Sequence, residues 1–124
     1  MTVNILGTDY EIIKRTKSED PKLEDCWGYT EPFAKKIIID ANMDDGSRLN
    51  AERLDLFEEK VMRHEIIHAF FIESGLHTNC DYAGNEELVD WIALQFPKIE
   101  KVLEQIWSEK VIECWEEQAR KKNE

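Results

Sequence analysis

Two histidines four residues apart, with a glutamate directly after the first, occupy residues 64 to 68 (HEIIH). On an α-helix, residues i and i+4 project from the same side, one turn apart. His64 and His68 can therefore place two imidazole nitrogens on one metal ion at about 2.0–2.1 Å, the usual Zn–N distance. Glu65 can reach a water molecule on that metal without being a ligand, as the general base of a metallopeptidase must.

A catalytic zinc site also needs a third protein ligand and an open fourth position. The extended HExxHxxGxxH pattern is absent, because Phe71 and Ser74 stand where that pattern has Gly and His. However, Glu86 follows His68 after seventeen intervening residues, within the sequence NEELVD, where Glu86 and Asp90 are again one helical turn apart. Glu86 could complete a His/His/Glu set, and Asp90 could accept a hydrogen bond from the distal nitrogen of a ligating histidine.

Three further residues leave alternatives open. Glu87 is a rival for the metal, but it would face about 100° around the helix from Glu86. His77 and Tyr82 stand in the connection between the two motifs, where either could stabilise an oxyanion or contact substrate, or be an ordinary loop residue. A metal-free helix with a polar face remains the alternative for the histidine motif itself.

The two motifs together resemble the gluzincin pattern, in which HExxH is followed by an NExxxD helix. The small size of the chain, the strands before HEIIH and the stretch EELVDWIALQF resemble the minimal gluzincins. These include the ImmA/IrrE-like metallopeptidases that are frequent in phages and mobile elements. The resemblance covers roughly residues 28 to 96 and predicts a zincin-like domain.

Carried over position by position, the resemblance implies Zn²⁺ bound by His64, His68 and Glu86. It makes Glu65 the general base and Asp90 the residue that orients a ligand. The function implied is a cytoplasmic zinc endopeptidase whose substrate is a protein or peptide, with a transcriptional regulator as one candidate. The alternative is a zinc-stabilised binding module that recognises a regulatory protein without cleaving it, in which Glu65 has no necessary role.

Composition predicts one folded domain over residues 1–124. Hydrophobic residues make up 42% of the chain and charged residues 35%, which is typical of a globular protein. A net charge of −11 argues against nucleic acid or an anionic membrane surface as partner. No apolar run approaches the roughly 18 residues of a membrane span, and three cysteines outside any CxxC favour a reducing cytoplasm.

The first forty residues are typical of strands, and the predicted fold class is α+β with a small antiparallel sheet. VNIL and YEIIKR form a predicted hairpin around Gly7–Asp9. CWGYT and KKIIID are two more strands, the second covered on both faces because Ile37, Ile38 and Ile39 are consecutive. NMDDGSRLN is a predicted loop.

Three helices are predicted to follow the sheet. The histidine-bearing helix runs from Leu54 and ends at Gly75, since glycine favours helix C-termini. Asn85 caps the ligand-bearing helix, and Pro97 either interrupts that helix or begins the next. A long last helix covers roughly residues 98 to 119. Three tryptophans on these helices are expected to pack in the core: Trp91, Trp107 and Trp115. The alternative is that the helix with Trp107 and Trp115 presents a face to a partner.

Overall fold

The structure, a computed structural model, describes residues 1–44 and 52–123. Within those ranges the chain is α+β, with a four-stranded sheet and four α-helices. It divides into two compact units, Met1–Ala93 and Leu94–Glu124. Most of the predicted loop NMDDGSRLN lies outside the described residues. The single domain expected over the whole chain stays a prediction.

The sheet contains four short strands. They are β1 (Thr2–Ile5), β2 (Thr8–Arg15), β3 (Gly28–Glu31) and β4 (Lys36–Asp40), in the order β1-β2-β4-β3. The predicted hairpin is confirmed, but its turn is Leu6–Gly7, because Thr8 and Asp9 already belong to β2. The φ angles of 50° and 93° at Leu6 and Gly7 suit the two-residue turns that match strand twist.

The prediction of an antiparallel sheet is wrong, because β4 lies parallel to β2. β3 and β4 form an antiparallel pair, but β4 takes the inner place and leaves β3 at the edge. The physical reason is burial. Ile37, Ile38 and Ile39 are all 0–1% exposed, and a strand that is apolar on both faces needs a neighbour on each side and a cover on each face.

The first two of the three predicted helices begin at the predicted residues, Leu54 and Glu86. α1 (Leu54–Glu73) ends just before Gly75, which adopts a φ of 81°. The connection after it forms the short helix α2 (Leu76–Asn79) and a 3-10 turn. Asn85 then caps α3 (Glu86–Ile106) through a 2.8 Å hydrogen bond from the Leu88 amide to the Asn85 side chain.

Pro97 does not interrupt α3, contrary to the prediction. A proline inside a helix cannot donate to the carbonyl four residues earlier, which here belongs to Ala93. That carbonyl accepts a 2.8 Å hydrogen bond from Nε of Arg63 on α1 instead. The long last helix is also wrong, because the chain breaks at Trp107–Ser108 before α4 (Glu109–Lys122).

α1 packs on the sheet and forms the core of the first unit. Tyr10, Ile37 and Ile39 of the sheet meet Val61 and Ala69 of α1, and all five are buried. This packing fixes the face on which α1 presents its polar residues. Within the described ranges, no helix is both long and apolar enough to cross a membrane.

The prediction that the helical tryptophans pack in the core is wrong. Trp91 is 57% exposed, Trp107 62% and Trp115 50%. Trp91 and Trp115 lie on helices and Trp107 lies at the break before α4. Complete burial of an indole requires elements packed around it, and the ring contact between Trp107 and Trp115 covers each of them only in part.

Candidate metal centre

The two histidines of the HEIIH motif lie one turn apart near the middle of α1 and point to the same place. Their Nε2 atoms are 3.1 Å apart. Glu86, the first residue of α3, reaches both rings: its Oε2 lies 2.8 Å from Nε2 of His64 and its Oε1 lies 3.0 Å from Nε2 of His68. The folded chain therefore brings together the three residues that the sequence predicts as ligands.

The separations of these donor atoms can be compared with those of a tetrahedral zinc site. Ligand atoms at 2.0–2.1 Å from a tetrahedral ion lie about 3.3 Å from one another, close to the 2.8–3.1 Å found here. At these separations the lone pairs of the two imidazole nitrogens and of the carboxylate oxygens would repel one another if nothing lay between them. A proton or a cation has to lie among them, and this donor set fits Zn²⁺.

Accessibility differs among the three groups in a way that suits a site with one open side. The side chains of His64 and His68 are only 15% and 12% exposed, whereas that of Glu86 is 70% exposed. Partial desolvation raises the pKa of the Glu86 carboxyl, but its contacts with His64 and His68 outweigh this effect and hold the pKa below its usual range. Glu86 is therefore an ionised ligand candidate at neutral pH.

Glu65 lies beside these groups but is held separately. The residue is 6% exposed, and its Oε2 accepts a 2.8 Å hydrogen bond from the Thr30 hydroxyl on β3. Donor atoms of His64, Glu65 and His68 all lie within 4.8 Å of one another. Burial raises the pKa of the Glu65 carboxyl, and the hydrogen bond from Thr30 acts in the opposite direction.

Asp90 meets the far side of the His64 ring. Its Oδ1 lies 3.2 Å from Nδ1 of His64 and 3.2 Å from Nζ of Lys60. Burial raises the pKa of the Asp90 carboxyl, but the hydrogen bonds from Lys60 and His64 together lower it below its usual value. An ionised Asp90 keeps the proton of His64 on Nδ1 and leaves Nε2 free to bind a cation.

The rival ligand, Glu87, takes no part in this cluster. Among the described residues, both histidine rings contact Glu86 and neither contacts Glu87. The difference follows from helix geometry, since consecutive side chains diverge by about 100°.

Two depressions share Glu65 and Glu86 in their walls, and we refer to this pair of depressions as the cleft. The smaller, about 190 Å³, is lined by Trp27, Lys60, His64 and Asp90, among others. The larger, about 420 Å³, is lined by Tyr29, Thr30, His68 and His77, among others. His77 therefore lies on the cleft wall, as an oxyanion or substrate role requires. Tyr82 lines neither depression and is 55% exposed, so the structure does not bring it to the site.

One wall of this cleft is β3, the edge strand of the sheet. A Cβ on Gly28 would come within 2.8 Å of the carbonyl oxygen of Ile38, so only glycine lets β3 lie this close to β4. The close approach places Thr30 against α1, where its hydroxyl contacts both the Glu65 carboxylate and the Glu65 carbonyl oxygen. The edge strand thus fixes the orientation of Glu65.

Sequence reasoning missed two residues of the site, Thr30 and Lys60. Thr30 precedes its partner by 35 positions, and no local pattern connects the two. For Lys60 a signal existed: it stands four residues before His64, so the helical spacing that places His64 near Asp90 places Lys60 there too.

Comparison of the chain with protein-family models, curated proteins and solved structures gives no match. The resemblance to gluzincins and to the ImmA/IrrE-like family therefore stays a prediction from the motifs.

The contact between Asp90 and His64 leads to a testable expectation. Asp90→Ala should weaken zinc affinity by roughly 10–100-fold without unfolding the chain, because a ligand histidine loses the group that orients it. Competition with a chromophoric chelator measures the change, and Glu87→Ala, on the same helix but outside the cluster, is the matched control. An Asp90→Ala protein with the affinity of the wild type would show that this carboxylate does not orient a ligand.

Proposed function

We propose that this chain is a zinc-dependent endopeptidase of the gluzincin type, related to the ImmA/IrrE-like metallopeptidases and acting in the cytoplasm. One observation carries the proposal: donor atoms of His64, His68 and Glu86 converge within 3.1 Å, and the buried carboxylate of Glu65 lies in the same cleft. A structural zinc site is closed by four protein ligands, whereas a catalytic site keeps one position open. Three convergent ligands beside a cleft match the catalytic kind of site, which keeps a position open for water or substrate.

The roles of the residues follow from their contacts. His64, His68 and Glu86 would hold the ion, and Asp90 would keep the lone pair of His64 directed at it. Bound zinc would supply Lewis-acid chemistry, namely polarisation of the scissile carbonyl and a water whose pKa is about 7. Glu65 would accept a proton from the attacking water and deliver it to the amine that leaves as the C–N bond breaks.

The cleft supports a peptide as the substrate class. β3 lies at the edge of the sheet and lines the cleft, so its unpaired backbone groups can hydrogen-bond an extended chain. A substrate bound as an added strand would pass directly over Glu65, which Thr30 of the same strand holds in place. A transcriptional regulator remains one candidate substrate.

Metal analysis of the purified protein tests the proposal. After expression in zinc-replete medium we expect about one zinc per chain, because all three ligands come from one polypeptide. A variant with Cys26, Cys80 and Cys114 changed to serine should keep that zinc, which excludes adventitious thiolate binding. Protein without zinc after such expression would contradict the proposal. Stoichiometric zinc without cleavage of any bound partner would instead favour the zinc-stabilised binding module.

A further inference from the structure

The second compact unit carries a large apolar surface that its own residues leave exposed. On the end of α3, apolar residues recur at alternating steps of three and four (96, 99, 103, 106), the spacing of a helix that packs against a partner helix. We call the following residues the C-terminal apolar surface: Phe96 (49% exposed), Ile99 (45%), Val102 (53%), Leu103 (46%), Trp107 (62%) and Trp115 (50%).

The two helices of this unit do not cover each other. In the described part of the chain, α3 and α4 do not pack side by side along their lengths. Trp107, at the break between the two helices, contacts Trp115 of α4, with the ring centroids 6.3 Å apart in an edge-to-face arrangement. Five of these six residues lie within residues 96–107, and the ring contact joins Trp115 to them. So many half-exposed apolar side chains in one short segment are more than isolated surface residues, and such segments mark interaction sites.

The distribution of charge indicates which partner this surface fits. Residues 94–124 contain six Lys and Arg and seven Glu, a formal charge of −1, so −10 of the total −11 belongs to residues 1–93. A second copy that approached through the first unit would meet strong like-charge repulsion. An approach through the nearly neutral second unit avoids that repulsion.

Charge along α4 also has a polarity. Glu109 and Lys110 at its start add no net charge. From residue 113 onward, acidic side chains come first (Glu113, Glu116, Glu117) and basic side chains follow (Arg120, Lys121, Lys122), all of them exposed. Lys121 lies 3.4 Å from Glu117 of its own helix, an exposed pair that contributes little to stability. Two α4 helices in parallel would align like charges, whereas two antiparallel helices would place each acidic half against the basic half of the other.

We infer that the C-terminal apolar surface is covered by a second copy of this chain, with the two α4 helices antiparallel about a two-fold axis. A two-fold interface uses the same surface on both copies, and the charges of two α4 helices beside this surface are complementary only when the helices are antiparallel. The inference does not depend on the metal site, which lies entirely in residues of the first unit.

A charge-swap experiment on the full-length chain tests the arrangement. One variant carries Glu113→Lys, Glu116→Lys and Glu117→Lys, and a second carries Arg120→Glu, Lys121→Glu and Lys122→Glu. By sedimentation, we expect the wild type to be a dimer. Each variant alone should show a dissociation constant raised by at least about tenfold, because like charges then face each other. An equimolar mixture of the two should regain the dimer.

Apolar contact is tested by Leu103→Asp, which should also dissociate the dimer while the monomer stays folded, since Leu103 is 46% exposed in the single chain. Leu56→Asp on α1, where Leu56 is 50% exposed, is the matched control and should leave the dimer intact. A wild-type chain that is monomeric at about 100 µM would overturn the inference. Dimers that survive both charge variants, or a mixture that stays monomeric, would overturn the antiparallel arrangement.

Discussion

Glu65→Gln is expected to lose peptidase activity by at least about 10²–10⁴-fold, the usual contribution of general-base catalysis, while it keeps its zinc and its fold. Glutamine preserves the shape of the side chain and can still accept the hydrogen bond that Thr30 donates at 2.8 Å. It cannot accept a proton from water at neutral pH. Because Glu65 is not among the three proposed ligands, neither metal affinity nor packing requires its negative charge.

The measurement compares wild-type and Glu65→Gln proteins co-expressed with candidate regulators, and it scores both cleavage fragments and bound zinc. Glu59→Gln is the matched control, since Glu59 is an exposed glutamate on the same helix. Equal cleavage by the wild type and Glu65→Gln would show that another residue is the general base. If a true partner is bound by both forms and cleaved by neither, the endopeptidase proposal fails and the binding module is favoured.

The parts of the site that could be predicted from sequence are those set by helical spacing. His64 and His68 meet because residues four apart on α1 project from the same side, and Glu86 stands at a helix start because Asn85 supplies the cap. Both are local properties, and they hold wherever the helices lie. Glu86 meets both histidines only because α3 begins beside the middle of α1. The resemblance to the gluzincin motifs predicted this placement, whereas helical spacing alone did not.

The parts that could not be predicted depend on contacts between distant segments. The inner place of β4 was missed because strand order follows from three-dimensional burial, while hairpins follow from turns. The continuity of α3 through Pro97 depends on Arg63, which stands thirty residues before Ala93 and satisfies the carbonyl of Ala93 that the proline leaves without a donor. The hydrogen bond from Thr30 to Glu65 depends in turn on the edge position of β3.

The second large effect concerns the metal itself: Glu86→Ala should reduce bound zinc from about one per chain to well below stoichiometric amounts. Loss of Glu86 leaves only two protein ligands, His64 and His68, where a catalytic zinc site needs three. The substitution should not unfold the chain, because the Glu86 side chain is 70% exposed and Asn85 still caps α3. His64→Ala should have the same effect on zinc.

Glu87→Ala is the matched control, because it removes the neighbouring carboxylate from the same helical turn and the same net charge from the chain. Zinc content and affinity, measured for wild type, Glu86→Ala and Glu87→Ala by metal analysis and chelator competition, should change only when Glu86 is lost. The reason is geometric, since Glu86 reaches both Nε2 atoms at 2.8 and 3.0 Å. Loss of zinc from Glu87→Ala alone would show that Glu87, and not Glu86, is the third ligand. If both variants and His64→Ala keep about one zinc per chain, the metal does not bind in this cleft.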